Sequence, residues 1–234
     1  MAREQIQIIY EDEHLLVLNK PSGVVVNVSH TSAQGTLQQY LQKKLAKELE
    51  LADPTGEFFS RAGLVHRLDK ETSGVILAAK SPEDFEALKQ QFMSREVVKE
   101  YVALALGVIE DEIFEINAPI GRNPNKRTAM AVVSDGKPAT TRFEVVGEEY
   151  IDDMKMTLVK AFPKTGRTHQ IRVHLASMEH PIVGDDTYAG RKRSVITRSR
   201  FGRLMLHAHK ITFKHPFTEV EVTFESPLPS DLKY

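Results

Sequence analysis

The sequence predicts an α+β fold. Many short runs alternate with the period of a strand, few carry helical spacing, and turn signals join neighbouring runs as antiparallel partners. IQIIY (6–10) and LLVLN (15–19) read as two strands around the acidic turn Glu11-Asp12-Glu13, and Pro21-Ser22-Gly23 follows as a further turn. Thr36 is placed to cap a helix whose Leu37, Leu41, Leu45 and Leu49 form one apolar stripe. Residues 52–60 read as a loop and VILAA (75–79) as a short buried strand. Ser81, Pro82, Glu83 and Asp84 make a helix start, with an oxygen cap, a proline in the first turn and acids near the positive end of the dipole. Phe85, Leu88 and Phe92 form the buried stripe of that helix.

Val97 to Leu106 reads as a strand with Lys99, Tyr101 and Ala103 on one face. RTAMAVV and KPATTRFEVV flank Ser134-Asp135-Gly136, which predicts a hairpin. KMTLVKAF (155–162) is another strand, and HQIRVHLASM begins a helix capped by Thr168. LMLHAHKITF and VEVTF close the chain as strands around Pro216. No clean linker, internal repeat or low-complexity segment divides the 234 residues, so a single domain over 1–234 is expected.

Composition limits the functional classes. The chain is 41% hydrophobic and 27% charged, ordinary for a globular protein, and it has no cysteine. That removes disulfides, thiol nucleophiles and cysteine–zinc sites. No apolar run reaches the ~18 residues of a membrane span, and MAREQIQIIYEDEH has no signal-peptide core, so a cytoplasmic protein without a membrane partner is expected. The net charge of -1 hides an asymmetry: between Lys160 and Lys214 there are twelve basic and three acidic residues, whereas residues 1–60 carry five basic and eight acidic. RKRSVITRSRFGR alone holds six cations in thirteen residues. Such a tract on an otherwise acidic chain suggests a phosphate-rich partner.

Familiar cofactor signatures are missing. DGKPATT lacks the upstream glycine spacing of a phosphate loop, and neither GxGxxG nor GxSxG occurs. Nine histidines raise the question of a metal, but there is no HExxH, and His169 and His174 are five apart. A glycosidase would need a second acid in a matching motif.

HRLDKETSG (66–74), then KEYVAL, then KTGRTHQIRVHL carry the remaining signal. Each residue alone allows an ordinary reading: Asp69 as a turn cap, Tyr101 as a strand aromatic, Arg172 as a solvated helix residue. Together, and joined in order by NKPSG near the start, GDDTY (184–188) and LMLHAHKITFKHP near the end, they resemble the RluA-type pseudouridine synthases. RNPNKRTAMAV and GKPATT are most similar to the ribosomal-RNA branch. The resemblance implies a mixed, largely antiparallel, bent β-sheet with flanking helices and loops around a central catalytic cleft, and no cofactor or metal. It implies that Asp69 attacks the target uridine, that Tyr101 stacks on the uracil, that Arg172 pairs with Asp69, and that Arg67 helps push the base out of the stack.

The chemistry suits those residue types. A catalytic carboxylate must be ionised, and a guanidinium beside it favours that form and fixes its direction. An aromatic face holds an everted base. Lys164, Arg167, His169, Arg191, Lys192 and Arg193 are the expected RNA contacts, giving affinity and position rather than target choice. Many relatives carry an S4-type RNA-binding module before the catalytic domain; here the first strand begins near residue 6 and no such module is expected. The expected activity is isomerisation of uridine in structured RNA by a monomer, with 23S-type ribosomal RNA as the first target class. Transfer RNA is the alternative substrate, and a non-catalytic RNA-binding or ribosome-assembly factor the alternative from another class.

Overall fold

The computed structural model describes residues 6–28, 34–151 and 154–232; the start of the signal-peptide reading, residues 1–5, lies outside them. The elements in chain order are β1 (Gln7–Glu11), β2 (Leu15–Lys20), α1 (Leu37–Lys44), α2 (Ala46–Glu50), α3 (Glu57–Arg61), β3 (Ser73–Ala79), α4 (Pro82–Ser94), β4 (Val98–Leu106), β5 (Ile113–Asn117), β6 (Ile120–Arg122), β7 (Met130–Val132), β8 (Thr140–Ile151), β9 (Met154–Pro163), α5 (Gln170–Ser177), α6 (Arg191–Phe201), β10 (Leu206–Lys214) and β11 (Glu221–Glu225). The α+β class is as the sequence predicts. The chain divides into two compact units, Met1–Val98 with Ala208–Pro227, and Lys99–His207 with Leu228–Tyr234. Among the described residues no helix is long and apolar enough to cross a membrane.

In the first unit, β2 pairs antiparallel with β1 and β3, and β10 pairs antiparallel with β11. Every residue of β3 is buried. The Thr36 capping box is complete, with Gln39 reciprocating. The leucine stripe is buried throughout, yet the helix breaks at Leu45 into α1 and α2. Ser81 caps α4 as expected, and Phe85 and Leu88 are buried. The loop expected over 52–60 contains α3, whose Phe58 is buried edge-on against Phe85 at 6.1 Å between centroids. Tertiary burial outweighs weak local signals there.

In the second unit the strand order is β4-β9-β8-β5, all antiparallel, and β6–β7 form a separate ribbon. The expected hairpin about Ser134-Asp135-Gly136 is corrected: its flanking strands do not pair with each other. β7 pairs with β6, and β8 pairs with β5 and β9. The turn itself forms, Gly136 N–H donating to Val133 O, but it lies flat on β6. A Cβ on Gly136 would meet the Ile120 carbonyl carbon at 2.6 Å, and Pro138 has no N–H for a ladder. A second correction concerns α5: its N-cap is His169 in the left-handed region (φ 57°), not Thr168. Its first turn is held by Gln170, whose Oε1 accepts from Arg167 N–H (3.0 Å) and Thr165 hydroxyl (2.7 Å). The basic tract forms α6, an element without apolar periodicity that hydrophobic patterning could not reveal.

Candidate active site

Each unit presents part of the expected constellation. In the first, the segment 66–74 leads into β3. His66 Nε2 accepts the Leu77 N–H (2.9 Å), so its proton sits on Nδ1, and its ring stacks on Phe92 at 4.7 Å. Arg67 is exposed and Asp69 half-buried. The segment's final Gly74 adopts φ 115°, and a Cβ there would lie 2.1 Å from the Ala208 carbonyl oxygen. Only glycine allows β3 to approach β10 so closely at that point.

The loop around Asp69 is stitched to the NKPSG turn. Gly23 N–H donates to Lys70 O (2.8 Å), and Ser22 hydroxyl donates to Glu71 O (2.7 Å). Lys20 is fully buried at the end of β2, with Nζ donating to the carbonyls of Pro21 (3.0 Å), Val24 (2.9 Å) and Lys70 (3.1 Å). Burial pulls its pKa down to about 7, and the carboxylates of Asp69 and Glu71 act in the opposite sense. Lys20 had no expected role, although the motif containing it was in plain view.

The second unit carries Tyr101, Arg172 and the basic residues. Tyr101 is half-buried on β4, opposite Ala161 of β9. Lys99, two residues earlier on the same face, has its pKa lowered by burial. Arg172 is buried on α5, and Asp185 grips it from the GDDTY turn: Nε donates to Oδ2 (2.7 Å) and Nη2 to Oδ1 (2.9 Å). The same Oδ1 accepts the N–H groups of Thr187 (2.9 Å) and Tyr188 (3.1 Å). The Tyr188 ring lies 5.1 Å from the guanidinium carbon. Pairing of Arg172 with Asp69 was expected; the bidentate pair with Asp185 is a further contact that the sequence did not suggest.

A directed polar chain fixes the rest of α5. Gln170 Nε2 donates to Thr140 O (3.0 Å) and Thr141 Oγ (2.9 Å). That hydroxyl then donates to His174 Nδ1 (2.9 Å), and His174 Nε2 donates to Ala118 O (3.1 Å). Burial lowers the pKa of His174, in keeping with this neutral role. The expected RNA contacts fall into three kinds. Arg191, Lys192 and Arg193 are exposed on the first turn of α6. Lys164 pairs with Glu115 (2.7 Å), and Arg167 Nε donates to Pro138 O (3.1 Å). His169 shares a 2.8 Å hydrogen bond with the Tyr188 hydroxyl.

Comparisons with known proteins show the family of the chain. The model of a family described as RNA pseudouridylate synthase matches residues 14–177. The chain is 39% identical over 230 residues to ribosomal large subunit pseudouridine synthase D of Nitrosomonas europaea, covering 97% of this chain and 63% of that protein. It is 41% identical over 235 residues to the protein of the same name from Pseudomonas aeruginosa, covering 97% and 69%. The chain thus spans a little under two thirds of the first relative's length. The structure of human RNA pseudouridylate synthase domain containing 1 superposes with a TM-score of 0.74 at 30% identity, covering 98% of this chain and 86% of the other.

Proposed function

Because the chain belongs to the RNA pseudouridylate synthase family, we propose that it isomerises specific uridines of structured RNA to pseudouridine, with 23S-type ribosomal RNA as the target class. The observation that carries this reading is the match of 97% of the chain to relatives named for the large ribosomal subunit. Their names favour ribosomal over transfer RNA, and the retained Asp69, Tyr101 and Arg172 favour an enzyme over a non-catalytic binder.

In the reaction the N1–C1′ bond breaks, the uracil turns, and a C5–C1′ bond forms. C5 loses a proton, N1 gains one, and nothing is added overall. Asp69 is the carboxylate that adds to sugar or base, or assists departure of the uracil. Tyr101 stacks on the everted base, with its hydroxyl near the C5 proton. Arg172 acts with Asp69, and Arg67 helps displace the base. Lys164, Arg167, His169, Arg191, Lys192 and Arg193 contact the RNA. We take residues 1–234 as one catalytic domain of a monomeric, cytoplasmic enzyme.

Pseudouridine mapping of ribosomal and transfer RNA, in cells with and without the protein, tests the target. Loss of one or more large-subunit sites is expected. Loss confined to transfer RNA, or no loss at all, would overturn the assignment.

A further inference from the structure

GDDTY has no part in the reaction proposed above, and its contacts converge on one side chain. Asp185 is 1% exposed, and its oxygens accept from Arg172 and from the N–H groups of Thr187 and Tyr188. This carboxylate therefore shapes the turn and holds the guanidinium plane at once. Tyr188 covers that plane with its ring. Its hydroxyl accepts the N–H of Met130 on β7 (3.0 Å) and meets His169, the left-handed residue that starts α5 (2.8 Å). A histidine in that conformation is strained and persists only where its surroundings hold it. One hydroxyl thus joins the β6–β7 ribbon to the first residue before α5.

The pairing has an electrostatic consequence. Asp185 already neutralises Arg172, so the pair adds no net charge. What it fixes is direction, since a fork held along one edge presents its remaining edge at a set angle.

We propose that Asp185 and Tyr188 are positioning residues for Arg172, the carboxylate setting the azimuth of the guanidinium and the tyrosine locking it to the β6–β7 ribbon. This rests on the reading above that Arg172 acts in the reaction. The alternative is a purely structural ion pair, which would lower stability on removal and leave the rate alone.

The test is a double-mutant cycle on the full chain. Asp185→Asn, Tyr188→Phe and Arg172→Lys are made singly and in pairs. Melting temperature, RNA Kd and single-turnover rate are measured on a ribosomal RNA fragment, well below each melting point. Asp185→Asn should slow turnover about 100-fold with Kd within about twofold, because misdirection by about an ångström has an effect of that size. Tyr188→Phe, which removes only the hydroxyl, should slow it about three- to tenfold. In the Arg172→Lys background both losses should shrink to near nothing, since the residue they direct is gone. Full losses in that background, or unchanged rates with lowered melting temperatures, would overturn the proposal. If Arg172→Lys itself keeps the full rate, the role of Arg172 falls and takes the proposal with it. If Arg172→Lys is slow while Asp185→Asn and Tyr188→Phe are not, the proposal falls alone. Should Asp185→Asn not fold, the Tyr188→Phe arm decides.

Discussion

A fully buried lysine one strand away from a carboxylate loop gives this protein a pH signature at the level of a single residue. Lys20 has its pKa lowered to about 7. Between about 7 and the ordinary lysine value near 10.4, the unfolded chain holds a proton there that the native chain does not. Stability therefore rises with pH across that window, by up to about 1.4 kcal/mol per pH unit. Urea unfolding at pH 7.5 and 9.5 should show wild type gaining stability relative to Lys20→Met; equal changes in both would contradict the assignment. Arg172→Ala should behave differently. It strands the buried Asp185 carboxylate, and breaking such a pair by removing one partner costs about 3–5 kcal/mol. An unchanged urea midpoint would rule that out. At this scale the roles proposed for Asp69 and Arg172 come from the resemblance alone. The sequence was silent on Lys20 and Asp185, because a lysine or aspartate looks the same in sequence whether solvated or enclosed.

At the scale of elements, strong local chemistry was readable and long-range closure was not. Thr36 and Ser81 announce α1 and α4 because capping is decided within three or four residues. The Ser134-Asp135-Gly136 turn was read correctly as a turn and wrongly as a hairpin, since its strands find partners elsewhere in the sheet and ribbon. Helix α6 escaped because its sequence has almost no apolar face. Close backbone approaches are equally invisible. Gly184, the first residue of GDDTY, has φ 75°, and a Cβ would stand 2.0 Å from the Arg203 carbonyl oxygen. Gly184→Ala should cost more than about 3 kcal/mol, combining backbone strain with a clash that only backbone movement relieves. A thermal melt within a degree or two of wild type would show that this turn has room.

Over the whole molecule, charge is the property that composition conceals. The formal charge is -1, yet α6 begins with three exposed cations and continues with Arg198 and Arg200. If these residues face RNA phosphates, the logarithm of the binding constant should fall linearly with the logarithm of salt concentration. Replacing Arg191, Lys192 and Arg193 together by alanine should reduce that slope by about two to three, at roughly 0.7–0.9 per lost contact. An unaltered slope would move the RNA elsewhere on the surface. The family and the general fold were legible because six ordered motifs span the chain. The division into two compact units was not, since the chain passes between them three times without a linker composition.

In the proposed reaction one carboxylate, Asp69, performs the isomerisation. The most direct measurement compares purified wild type and Asp69→Asn on a ribosomal RNA fragment, scoring pseudouridine formed and RNA bound in parallel. Asp69→Asn should lose at least roughly 1,000-fold in turnover with binding kept within a few-fold, as expected when a catalytic group is removed from an intact site. Turnover by Asp69→Asn near the wild-type rate would contradict it.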